Sequence, residues 1–189
     1  MERNRPPNAI YYNICELFGL TNDHRDYVYL SDGGHFENLG AYEMIRRCCR
    51  TIVIVDAGCD PDSKFEDLGN LIRLARIDFN VEITFNREFK LTDGEVQHFA
   101  PTHLGENQCP PYCLVGEIEY RDIEPRGTII YIKPSVHGDE PHDVCSYHAL
   151  HPVFPHEPTS DQFFSEAQFE SYRKLGLHIG QKVFKTIAI

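Results

Sequence analysis

The sequence predicts an α/β fold on a mostly parallel sheet, and three observations predict it. Thr51-Ile-Val-Ile-Val55 is an unbroken apolar run, apolar on both faces as a central parallel strand should be. Around it, strand-like and helix-like segments alternate: residues 27–30, 38–50, 51–55, 63–79 and 81–85. That rhythm belongs to strand–helix–strand units with right-handed crossovers. Both of the first two strand-like runs end in an aspartate with glycine close behind, Asp32-Gly-Gly34 and Asp56-Ala-Gly58, which is turn chemistry.

Taken in order, residues 1–9 form a polar lead-in with two prolines, and residues 10–18 suit a short helix. Tyr27-Val-Tyr-Leu30 is a β-prone run ending in the Ser31-Asp-Gly-Gly34 turn. Residues 38–50 read as a helix, because Leu39, Tyr42, Ile45 and Cys49 recur at helical spacing. Arg46, Arg47 and Arg50 fall near its C-terminal end, where the helix dipole favours cations. Ser63-Lys-Phe-Glu66 has the spacing of a capping box and starts the next helix. Its buried stripe is Phe65, Leu68, Ile72, Ala75 and Phe79, and residues 81–85 follow as a strand.

The second half is less regular. Residues 86–113 hold a turn at Asp93-Gly94 and a stretch rich in His, Cys and Pro. Residues 114–120 and 128–132 read as strands, joined through Pro125-Arg-Gly127 into a β-hairpin. Prolines at 134, 141, 152, 155 and 158 make residues 133–160 a long loop, in which His142, His148, His151 and His156 are either solvated or line the site. Ser165-Glu-Ala-Gln168 is a second capping box and opens a terminal helix carrying Phe169, Tyr172 and Leu175.

Composition bounds the function. Apolar residues are 41% and charged residues 25% of 189, an ordinary globular balance. Asp and Glu outnumber Lys and Arg by 29 to 18, a formal charge of -11. Such a chain repels phosphate backbones, so no nucleic-acid partner is expected. No apolar run is long enough to cross a bilayer, and residues 1–7 do not lead into a signal-like apolar segment. Seven scattered cysteines, two of them adjacent at Cys48 and Cys49, suit a reduced, cytoplasmic setting.

The stretch Ser31-Asp-Gly-Gly-His-Phe-Glu-Asn-Leu39, read with a strand before it and a helix after it, resembles the second motif of the patatin-like phospholipases. Asp32, Gly33, Gly34 and Asn38 take the motif's places. Thr51-Ile-Val-Ile-Val-Asp-Ala-Gly58, Phe65-Glu-Asp-Leu-Gly69, Lys133-Pro-Ser and Glu166-Ala-Gln-Phe-Glu-Ser-Tyr172 are similar to a bacterial branch of that family. The resemblance implies that residues 1–189 are the C-terminal portion of a patatin-like, three-layer domain. It implies hydrolysis of lipid acyl esters by a Ser-Asp dyad, with no histidine, cofactor or metal. Asp32 would be the base, Gly33 and Gly34 would shape its turn, and Asn38 would orient that turn or cap the following helix. Some members of the branch carry hydrophobic segments upstream, which implies membrane association of a full-length protein.

The chain departs from the family in one decisive respect. It holds no G-x-S-x-G: none of Ser31, Ser63, Ser135, Ser146, Ser160, Ser165 and Ser171 has glycines at that spacing, and the Gly-rich oxyanion loop is missing. Gly40 stands where many members have proline. The nucleophile-bearing N-terminal portion is therefore expected to be absent, supplied by a longer chain or by a serine-bearing partner, and this chain alone is expected to be inactive. The alternative is a non-catalytic pseudoenzyme or interaction module.

Other residues carry blander readings. On its own, Asp-Gly-Gly is ordinary turn chemistry. Tyr29 obstructs an elbow at Ser31, and His35 reads as an exposed loop histidine. Asp56 ends its strand as Asp32 does, but a loop aspartate linking strand to helix is the commoner case. His103, Cys109 and Cys113 have a zinc-like look, which Pro110, Pro111 and the lack of a second ligand pair weaken, so no metal is expected.

Overall fold

The computed structural model describes residues 8–22, 24, 32–85, 88–90, 96–98, 112–121 and 123–186. The chain divides into two units, Met1–Asn38 and Leu39–Ile189.

In the first unit, helix α1 spans Ala9–Leu17, with the Tyr11 N–H donating to the Asn8 cap (3.3 Å). A single 3-10 turn spans Gly33–His35. The expected strand at residues 27–30 lies outside the described residues, as does Ser31.

The second unit is a mixed α/β structure around a four-stranded sheet. Its main elements are α2 (Tyr42–Arg46), β1 (Thr51–Val55), α3 (Glu66–Phe79) and β2 (Glu82–Phe85), followed by a separate pair, β3 (Glu88–Lys90) and β4 (Val96–His98). β5 (Cys113–Glu119), β6 (Gly127–Ile132), α4 (His142–Leu150) and α5 (Glu166–Thr186) complete it. The strand order is β1-β6-β5-β2.

Alternation along β6 sorts the core into two halves. Ile129 and Tyr131 join Ile52, Ile54, Leu68, Leu71 and Ala75 on the side of α2 and α3. Ile130 and Ile132 join Val144, Leu175, Ile179 and Val183 on the side of α4 and α5. Helices therefore cover both faces of the sheet, since a strand turns successive side chains to opposite faces.

The sheet corrects the expectation of mostly parallel pairing. Among the described strands only β1 and β6 pair in parallel; β5 is antiparallel to both β6 and β2. The crossover unit β1-α3-β2 exists, but its strands are not neighbours, because the β5–β6 hairpin is inserted between them. The reading of β1 as central and buried on both faces is corrected too. In the described sheet it is an edge strand, burying Ile52 and Ile54 while Val55 is 70% exposed. Val55, Ile132, Leu175, Ile179 and Phe184 line an apolar groove there, so one face of β1 is left open.

Three local expectations also change. The helix expected over residues 38–50 shrinks to α2, because Gly40 (φ +69°) precedes it and Cys48 (φ +53°) ends it, both left-handed. The Ser63 capping box does not form. Ser63 and Phe65 are themselves left-handed, and the Asp60 carboxylate takes the Lys64 and Phe65 N–H groups instead (2.8 and 2.9 Å). The 133–160 loop contains α4: Pro141 sits at its cap position and Val144 is fully buried. The Ser165 box does form. The Gln168 N–H donates to Ser165 Oγ (3.2 Å), and the Ser165 N–H donates to Gln168 Oε1 (3.3 Å). No helix among the described residues is long and apolar enough to cross a membrane.

Candidate functional site

Two aspartates that follow strand-like runs end up in opposite surroundings. Asp32 caps the 3-10 turn: its Oδ1 accepts from the Gly34 N–H (3.0 Å), and its backbone carbonyl accepts from the His35 N–H (3.2 Å). The carboxylate is exposed, and its Oδ2 has no hydrogen-bond partner among the described residues. Gly33 and Gly34 form the turn. A Cβ on Gly34 would lie 3.0 Å from Asn38 Oδ1 and 3.5 Å from Asp32 Oδ1, so a side chain there would have to push Asn38 aside. The cap position of α2 is held by Ala41, which gives no side-chain hydrogen bond. His35 is exposed, as expected for a loop histidine.

Asp56 is buried. Register sets its neighbour: Val55 pairs with Ile132, and the Asp56 N–H donates to the Ile132 carbonyl (2.8 Å), so Lys133 emerges beside Asp56. Lys133 Nζ donates to Asp56 Oδ2 (2.8 Å) and to the Gly58 carbonyl (3.1 Å). The Tyr131 hydroxyl donates to the same Oδ2, and the Gly58 N–H donates to Oδ1 (2.8 Å). Asp56 and Lys133 are 4% and 5% exposed. Burial pushes the Asp56 carboxyl up, but Lys133, Tyr131 and the Gly58 N–H outweigh it and hold the group below the usual carboxylate range. Burial, reinforced by Asp56, drives the Tyr131 phenol well above its ordinary value.

This cluster lies at the carboxyl ends of the two parallel strands, the end where open α/β sheets bind ligands. Asp56 and Lys133 line a cavity of about 240 Å³ with Cys59, Asp60, Lys64 and Phe65. His156, 9% exposed, holds residues 59 and 60 from the α4–α5 connection: its Nδ1 accepts from the Asp60 N–H (3.4 Å), and the Cys59 thiol donates to its carbonyl (2.9 Å). The other loop histidines are held apart. His148 Nδ1 lies 2.8 Å from the Phe154 carbonyl, His151 stacks on Tyr147, and His142 is exposed at the start of α4.

The cluster was half legible. Asp56 and Lys133 each directly follow an apolar strand, and two charges in that position are the signal; their pairing across 77 residues is not in any local pattern.

Metal ligation finds little support. Asp139, Glu140 and His178 bring ligand atoms within 4.8 Å of one another. Glu140, however, accepts from the His137 and Gly138 N–H groups (both 2.8 Å), and Lys182 is ion-paired with Asp139. The trio already has its cation and reads as an ion network holding α5 to residues 137–140. His103 and Cys109 lie outside the described residues, and burial pushes the Cys113 thiol up to about 12, the behaviour of an inert core cysteine.

No protein-family model, curated protein or solved structure matches this chain.

Proposed function

We propose that this chain is the aspartate-bearing portion of a patatin-like acyl-ester hydrolase, with Asp32 as the general base. The observation that carries the reading is the state of the Asp32 carboxylate. One oxygen is fixed by the Gly34 N–H, while the other is exposed and uncommitted among the described residues. A base needs that arrangement, an oriented carboxylate with an oxygen left over for the proton it takes. Asp56, the other candidate, has both oxygens occupied and is held ionised by Lys133.

The nucleophile comes from a G-x-S-x-G portion upstream or on a partner. Asp32 Oδ2 takes the serine hydroxyl proton as Oγ bonds to the acyl carbon of a lipid ester. The ester C–O bond then breaks, the alcohol leaves with a proton, and water releases the acid from the acyl-serine. Gly33, Gly34 and Asn38 keep the carboxylate oriented. Alone, the chain turns over no ester.

The test is fluorophosphonate labelling and ester hydrolysis by the native gene product and its Asp32→Asn variant. A labelled polypeptide larger than 21.8 kDa is expected. Asp32→Asn should lower kcat by about 10²–10⁴-fold, the usual contribution of a general base. An unlabelled 21.8 kDa product would overturn the proposal in favour of a non-catalytic module, and unchanged turnover in Asp32→Asn would overturn it by removing Asp32 as the base.

A further inference from the structure

We propose that His156 is a protonation-operated latch that holds residues 57–60 closed over the buried Asp56–Lys133 pair. The proposal does not depend on the hydrolase reading. It stands on how the segment after β1 is tied down. On one side, Asp60 is fastened to the start of α3 through the Lys64 and Phe65 N–H groups. On the other, Gly58 is bonded to Asp56 and Lys133, and Asp60 and Cys59 are fastened to His156 through the ring Nδ1 and the backbone carbonyl.

The ring bond requires a neutral imidazole with its proton on Nε2, because Nδ1 accepts. A proton on Nδ1 sets two donors face to face and breaks the bond to the Asp60 N–H. It also places a second cation beside Lys133 in a buried site. The charged groups facing the ring are Lys133 from the end of β6 and Asp56 and Asp60 from the segment after β1. The Cys59 thiol faces the His156 carbonyl. Glu157, next in the chain, is turned away to the Gln168 side-chain amide (2.8 Å). The two aspartates would welcome an imidazolium, but Lys133 and backbone N–H groups already satisfy them. Burial first, and Lys133 second, hold the ring below the ordinary imidazole range.

The sign follows. A histidine whose pKa is depressed in the closed form favours closure fully above the ordinary imidazole value of about 6.5, and that preference is lost as pH falls toward the depressed value. The hold on residues 59 and 60 thereby becomes pH-dependent.

Hydrogen exchange on the full chain tests the latch. Between about pH 7.5 and about pH 5 the protection factor of the Asp60 amide should fall, by up to about tenfold per pH unit below 6.5, while the amides of β5 hold theirs. His156→Asn places an amide oxygen near the position of Nδ1 and cannot titrate, so its Asp60 protection should be flat. Unchanged wild-type protection, or pH dependence retained in His156→Asn, overturns the proposal. Should that variant fail to fold, the wild-type ring decides by NMR titration: an Nε2-protonated tautomer with a midpoint below about 6.5 is expected, and a midpoint at or above it refutes the latch.

Discussion

Lys133→Met removes the cation from the buried cluster and keeps most of the side-chain volume. Asp56 then remains 4% exposed, with only Tyr131 and the Gly58 N–H to stabilise its charge. Breaking a buried pair on one side costs about 3–5 kcal/mol, because the surviving charge is left uncompensated. At about 2–4 °C per kcal/mol for a chain of this length, the unfolding midpoint at pH 7 should drop by roughly 6–20 °C. The pH dependence is a second signature. In the wild type the Asp56 pKa lies below its unfolded value, so its contribution is present above about 3.9 and lost as pH falls through the folded value. In the variant the burial effect, the largest acting on Asp56, loses its main opponent, and the folded pKa rises. The destabilisation is then greatest at neutral pH and shrinks as Asp56 takes up a proton. Asp56→Asn combined with Lys133→Met should recover most of the loss. Thermal unfolding followed by circular dichroism at about pH 7 and about pH 5 reads all of this. A midpoint within about 2 °C of wild type for Lys133→Met would refute the reasoning, since no buried, paired carboxylate could give that result.

Two further substitutions separate the terminal helix from the Asp32 turn. Ser165→Ala removes the hydroxyl that accepts from the Gln168 N–H and should cost about 0.5–2 kcal/mol in urea unfolding; an unchanged midpoint would mean that the box does not hold α5. Gly34→Val drives a branched side chain against Asn38 Oδ1, 3.0 Å from where its Cβ must sit. In a serine-bearing gene product it should lower kcat without moving the thermal midpoint beyond about 2 °C, because the turn is exposed; full activity would deny the turn any part in orienting Asp32.

Features with a strong local cause could be read from the sequence. The β1 run, the β5–β6 hairpin and the Ser165 box stand where the pattern put them, because apolar periodicity and cap chemistry act over a few residues, and the α3 stripe does so in part: Leu68 and Ala75 are buried, Ile72 and Phe79 half-buried, and Leu71 and Leu74 join them. What escaped was set by distant partners or by unusual backbone. Nothing in residues 51–55 says that a hairpin beginning at Cys113 will occupy the flank of β1. Helical spacing over residues 38–50 carried no warning that Cys48 would turn left-handed and stop α2. The prolines of 133–160 announced a loop, yet Pro141 stands at a helix start, where its fixed φ is no obstacle. Asp60, not Ser63, tied down the α3 start because two left-handed residues intervened.

The two aspartates show why local sequence underdetermines chemistry. Asp32 and Asp56 share a signature, a β-prone run, then aspartate, then glycine within two residues. In both, the carboxylate turns back to accept from the N–H two residues on, Gly34 in one case and Gly58 in the other. That shared Asx-type bond is what the sequence encodes. The difference comes from what the neighbouring strand delivers. Register brings Tyr131 and Lys133 to Asp56 and fills its second oxygen with an O–H and an ammonium. To accept a proton there, the group would have to surrender a buried cation, which opposes its use as a base by the same 3–5 kcal/mol or so that Lys133→Met exposes. At Asp32 the second oxygen meets no such donor among the described residues and is open to solvent. Where two carboxylates have the same local geometry, the one whose remaining lone pairs are uncommitted is the one that can do proton-transfer chemistry, and the other is a strut.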